Sequence, residues 1–129
     1  MSWLVTGGAG YIGAHVVRAM VEDGQDVVAL DDLSTGDASR LPAGARFVEG
    51  SVLDRDAIRA ALAGVTGVVH IAAKKQVGES VADPLLYYRE NVAGLTTLLS
   101  AAVGEGVDSF VFSSSAATLC SDWYSMARL

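Results

Sequence analysis

The stretch that most limits what this chain can become is Thr6-Gly7-Gly8-Ala9-Gly10-Tyr11-Ile12-Gly13. It follows a short apolar run, Ser2 to Val5, and opens a helical pattern from Tyr11 to about Glu22. Gly8-x-Gly10-x-x-Gly13 and Gly7-x-x-Gly10-x-x-Gly13 are both present. Glycines at a strand-to-helix turn let the backbone bend sharply and approach a phosphate where a side chain would collide. The free N–H groups of the helix start, with the positive end of its dipole, supply the attraction.

The acidic partner of such a loop stands where the chemistry requires it. The next strand, "DVVAL" at 26–30, ends at Asp31-Asp32, with Asp31 18 residues past Gly13. A carboxylate there can accept hydrogen bonds from both hydroxyls of an adenosine ribose. Its charge repels a 2′-phosphate, and no Arg or Lys between Asp31 and Arg40 offsets it. The expected cofactor is therefore NAD rather than NADP.

The rest of the chain keeps the same rhythm. "ARFVEG" at 45–50, "GVVHIAA" at 67–73 and "SFVFSS" at 109–114 read as further strands. Asp54 can cap a helix running to Leu62 and closed by Gly64. A longer helix is expected from Asp83-Pro84 to near Gly104, with Leu85, Tyr88, Val92, Leu95, Leu99 and Ala102 as one apolar stripe that either packs on the core or forms an interface. The strands are continuous apolar runs, which suits a parallel sheet covered on both faces. Alternation of strand and helix with right-handed crossovers predicts an α/β fold, a Rossmann-type doubly wound parallel sheet of about five strands in the order 3-2-1-4-5.

Composition narrows the class. The 129 residues are 51% hydrophobic and 19% charged, with no biased run, so a folded domain is expected. A net charge of −6 repels a phosphate backbone and excludes nucleic acid as a partner. The single cysteine, Cys120, permits no internal disulfide, and no window approaches the ~20 apolar residues that span a bilayer. A cytoplasmic protein without a metal site is expected.

Taken together, "LVTGGAGYIGAHVVRAM", "LDDLSTG", "FVEGSVLD", "VVHIAAKKQVGESVADPLLYY" and "FVFSSSAAT" resemble the extended short-chain dehydrogenase/reductases, the NAD-dependent epimerase/dehydratase family. Within it they look most like the UDP-galactose (UDP-glucose) 4-epimerases. In that family NAD stays bound, takes a hydride from C4 of the sugar and returns it to the other face, while a Ser and a Tyr-x-x-x-Lys handle the proton.

The resemblance implies roles for residues of this chain. Tyr11 and Ile12 would hold the pyrophosphate by their backbone, next to Gly7, Gly10 and Gly13. Asp31, Asp32, Leu33, Ser34, Thr35 and Gly36 would surround the adenosine ribose, and Ser51 and Val52 the adenine. Ile71, Ala72 and Ala73 would line the cofactor, Lys75 would reach toward it, and Asn91 would contact it. Glu90 stands where the family has a second asparagine, and Ser51 where it usually has Asp. Ser115 matches the family's catalytic serine. Partners implied are NAD, a UDP-sugar, and a second copy of the chain through the 84–103 helix or the last strand.

The likeness fades after Ala117. The expected division is a partial NAD-binding domain at 1–117, a divergent tail at 118–129 and no substrate domain. Tyr124-Ser125-Met126-Ala127-Arg128 lies nine residues past Ser115, too few for the loop and helix that would bring a phenol to the reacting sugar. A truncated epimerase-like protein without full catalytic competence is expected. An NAD-binding regulatory module and a non-functional remnant are the alternatives.

Overall fold

A computed structural model describes residues 1–114. Five parallel strands form one sheet, β1 (Ser2–Thr6), β2 (Asp26–Asp31), β3 (Ala45–Glu49), β4 (Gly67–His70) and β5 (Ser109–Phe112), in the order β3-β2-β1-β4-β5. That is the order the alternation of elements predicts. Pairing is in simple register, with Leu4 beside Val28 and Val68, and Val5 beside Ala29 and Val69.

The continuous apolar strands are explained by what covers each side. Successive side chains point to opposite faces. Leu4, Val28, Leu30 and Val68 pack beneath α2 (Arg55–Leu62) and α5 (Gly94–Gly104), meeting Ile58, Leu62 and Leu98. Val5, Val27 and Ala29 pack on the other side beneath Val17 of α1 (Tyr11–Glu22). Burying a Leu or Val of this kind contributes about 1.5–3 kcal/mol. The α2 start follows the sequence reading: Asp54 Oδ1 accepts from the N–H groups of Asp56 and Ala57, and Gly64 beyond the helix has φ +75°.

The expected long helix is more complicated. It is preceded by α3 (Val77–Ala82), which periodicity did not predict. It then runs through α4 (Pro84–Tyr87), one π-helical turn (Tyr88–Ala93) and α5. The π turn adds a residue to a turn and rotates the faces on either side of it. The stripe divides: Leu85, Tyr88, Val92 and Leu99 are exposed, as an interface face would be, while Gly94, Leu98 and Ala102 face the core. Glycine is required at 94, because a Cβ there would come within 2.7 Å of Val52 Cγ2.

Two strands are shorter than expected. β4 stops at His70 and β5 at Phe112, so Ile71–Ala73 and Ser113-Ser114 are loop at the carboxyl ends of the strands. No helix among the described residues is long and apolar enough to cross a membrane.

Candidate functional site

The carboxyl ends of the strands open into a cleft of about 1020 Å³, where parallel doubly wound sheets bind their ligands. Its near wall is the glycine loop, held by backbone packed on backbone. Gly7 has φ +69°, and a Cβ on it would stand 2.8 Å from Ala72 N. A Cβ on Gly13 would fall on the Gly7 carbonyl and within 2.9 Å of Gly8 Cα. Gly10 is different: its φ of −71° suits any residue, and a Cβ would approach only the Gly7 oxygen, at 3.2 Å. The protein's own packing gives the weakest reason for this glycine, and the cleft it lines gives a stronger one.

Immediately beyond stands the start of α1. No side chain caps it, no acidic residue occupies its first turn, and Tyr11 and Ile12 are exposed. The N–H groups of an uncapped first turn, facing a cleft, are the donors that an anionic group would use. The starts of α2 and α4, by contrast, are closed by Asp54 and Asp83.

Asp31 ends β2 nearly buried. Its Oδ2 accepts from Ala9 N at 3.0 Å and its Oδ1 from Leu33 N at 2.9 Å, so the carboxylate joins the glycine loop to the segment after β2. A carboxylate has about four acceptor sites, so capacity remains for two ribose hydroxyls. Asp32, Ser34 and Thr35 line the cleft beside it, whereas Leu33 and Gly36 do not. Leu33 adopts φ 58° to donate to Asp31, and a Cβ on Gly36 would lie 2.7 Å from Asp31 Oδ1. These two shape the acidic group and leave the wall to their neighbours.

Ser51 and Val52 line the same space. Ser51 Oγ already accepts from Leu53 N at 3.1 Å, and its hydroxyl proton is free to donate. Across the cleft run Ile71, Ala72, Ala73 and Lys75. Asn91 also lines it, but its amide is engaged: Oδ1 accepts from Lys74 N at 2.8 Å and Nδ2 donates to Lys74 O at 2.9 Å. Ser115 lies outside the described residues, as does Tyr124.

Sequence reading missed several residues. Arg40 reaches the cleft through a short 3-10 turn (Ala38–Arg40) capped by Asp37, and donates to Ala9 O at 3.3 Å. Glu90, noted above where the family has an asparagine, lines the cleft beside Asn91. Tyr87 does too, its phenol held above its ordinary 10.0 by burial and by its bond to Glu79. His70 is buried beneath the cleft with its Nδ1 2.6 Å from Thr6 Oγ1. That oxygen also receives the N–H groups of Ile71 and Ala72, at 3.3 Å each. Its proton therefore goes to Nδ1, and His70 is the neutral tautomer protonated at Nε2. Burial lowers its pKa from 6.5 to about 4.

The arrangement is one that can bind and orient a ligand. It offers donors for an anion, an acidic acceptor for hydroxyls and a lysine opposite them. Among the described residues no cluster of His, Cys, Asp and Glu could hold a metal ion.

Known proteins resemble the chain in sequence and in fold. Residues 3–121 match the family model described as the NAD dependent epimerase/dehydratase family. The chain is 50% identical over 119 residues to UDP-glucose 4-epimerase of Streptomyces lividans, covering 90% of this chain and 36% of that protein. Against the Thermus thermophilus UDP-glucose 4-epimerase in complex with NAD, the TM-score is 0.85 at 38% identity, over 89% of this chain and 38% of the other. A dTDP-glucose 4,6-dehydratase from Streptomyces venezuelae, solved with NAD and TYD bound, gives a TM-score of 0.79 at 36% identity, over 85% and 38% of the two chains. The chain thus spans little more than a third of the length of the relatives it matches.

Proposed function

This chain belongs to the NAD-dependent epimerase/dehydratase family, and we propose that it is the NAD-binding part of a nucleotide-sugar 4-epimerase acting on UDP-glucose and UDP-galactose. One observation carries the reading: the uncapped start of α1, the bare Gly10 and the carboxylate of Asp31 face a single cleft. The backbone of Tyr11 and Ile12 would hold the pyrophosphate, Asp31 the adenosine ribose with Asp32, Ser34 and Thr35, and Ser51 and Val52 the adenine. Leu33 and Gly36 would act by shaping Asp31. Lys75 would stand on the opposite wall.

NAD, when bound, would supply a hydride acceptor; the described residues would hold and orient it. The resemblance assigns the proton to Ser115 and to a Tyr-x-x-x-Lys, a pattern the sequence does not contain. The reading for the described residues is that they hold NAD, as a binding module would. The cytoplasm is the compartment proposed. Association of two copies is proposed through the exposed Leu85, Tyr88, Val92 and Leu99 or along β5, where Val111 and Phe112 are half exposed.

The test is to denature the purified protein and quantify NAD released per chain. Near-stoichiometric NAD, lost in Asp31→Ala, is expected. Absence of NAD from a folded chain that also fails to bind it when added would overturn the reading.

A further inference from the structure

Between β4 and α3 the chain has little backbone support. Ile71 and Ala72 still donate to Thr6, but among the described residues no backbone–backbone hydrogen bond involves Ala73, Lys74 or Lys75. Side chains replace that ladder. The Asn91 amide takes both the N–H and the C=O of Lys74, at 2.8 and 2.9 Å. The Tyr87 phenol takes the N–H of Gln76 at 2.9 Å and shares its proton between Gln76 O and Glu79 Oε2, each at 2.9 Å.

The two grips fall on either side of one residue, Lys75. They come from residues four apart across the junction of α4 and the π turn. Four residues advance about 400° in an α-helix and nearer one full turn where a π turn widens it, so the two groups face the same segment.

We propose that Tyr87 and Asn91 are positioning residues which, by holding the backbone before and after Lys75, set where its ammonium reaches into the cleft. The proposal rests on the NAD-binding reading above and assigns a different role to Asn91 from the cofactor contact that resemblance implies. Asn suits the task because it alone of the isosteric group offers an acceptor and a donor together; Asp would meet the Lys74 carbonyl with a like partial charge. A lysine has a long, rotamer-rich stem, so fixing its backbone removes much of the freedom that binding would otherwise have to remove.

The test uses the full chain with Tyr87→Phe, Asn91→Leu, Lys75→Met and the two double variants with Lys75→Met. Dissociation constants for NAD come from calorimetry, and amide hydrogen exchange at Lys74 and Gln76 from NMR. Each single variant is expected to weaken NAD roughly fivefold to tenfold, the range of one or two hydrogen bonds. Exchange should accelerate about tenfold or more at Gln76 in Tyr87→Phe and at Lys74 in Asn91→Leu. Adding either clamp variant to Lys75→Met should weaken NAD by less than about twofold, because the clamp acts through that lysine.

Losses that multiply in the double variants would overturn the proposal and return Asn91 to direct contact. So would unchanged exchange at Lys74 and Gln76. Should Asn91→Leu fail to fold, Tyr87→Phe carries the same comparison, since it removes one oxygen and keeps the ring. A wild-type chain that binds no NAD would sink the cofactor reading; the exchange data would then decide the clamp alone, protection lost in the variants supporting it and protection kept overturning it.

Discussion

The two walls of the cleft are built on opposite principles. The glycine-loop wall is close packing at the backbone: Gly7 on the Ala72 backbone, Gly13 on the Gly7 backbone, and Gly8 on the Ala29 methyl group. Nothing larger than hydrogen fits at those contacts, so the wall is fixed in one geometry and any added atom disrupts it. The opposite wall leans on side chains: the Thr6 hydroxyl adds to a backbone pair at Ile71 and Ala72, and Asn91 and Tyr87 hold Lys74 and Gln76. Each of those can be trimmed singly. One wall should therefore fail all at once and the other by degrees.

The sharpest way to break this contrast is Gly13→Ala. Its methyl group would collide with the Gly7 carbonyl, and overpacking of this kind costs about 1–3 kcal/mol or more. NAD content should fall to background, with a lower midpoint in thermal unfolding. A stable Gly13→Ala protein that keeps its NAD would show that the near wall yields.

His70 gives the next largest effect. Its folded pKa of about 4 lies below its ordinary 6.5, so the unfolded chain binds more protons between those values. Its contribution is complete above about pH 6.5 and is lost as pH falls toward 4, on the order of 2–3 kcal/mol. Urea midpoints at pH 7.5, 5.5 and 4.5 measure it. The drop should be visibly shallower in His70→Gln; equal slopes would remove the histidine from the account.

Thr6→Val should be milder. It withdraws the hydroxyl from His70 and from two amides, but Ile71 and Ala72 keep their bonds to the Thr6 carbonyl at 3.2 and 3.1 Å. A loss of about 1–2 kcal/mol is expected, with Thr6→Ser recovering most of it in the same urea titration. Smallest is Gly78→Ala on exposed α3, where a Cβ meets nothing within 4 Å. A gain of about 0.5–1 kcal/mol without change in NAD affinity is expected. A weakened affinity would mean that the far wall is tuned through α3 as well.

What was legible in the sequence divides along the same line. The near wall is written locally: glycines at fixed spacing, then an acidic residue one strand later, all within Thr6 to Gly36. Sheet order followed because continuous apolar strands alternating with helices admit few arrangements. The far wall pairs Lys74 with Asn91, Gln76 with Tyr87, and Thr6 with His70, across separations that no periodicity marks. The apolar stripe on the long helix was legible as a stripe but not as core or surface, because spacings of three and four do not carry one face through Tyr88–Ala93, where the helix is no longer α. Arg40 escaped notice because a capped 3-10 turn, not its place in the sequence, carries it back over Ala9.

The π turn also gives the far wall an unusual heredity. Relative to an α-helix it holds one surplus residue, and deletion of a single codon within 88–93 would restore the regular ladder. Loss of residue 88, 89 or 90 would cut the spacing of Tyr87 and Asn91 from four residues to three, a step of about 100° in an α-helix, with no intermediate spacing between. In a lineage of such chains the grip on Lys75 is therefore a discrete character, present or absent, whereas the packing of Leu98 and Ala102 can drift one methyl group at a time.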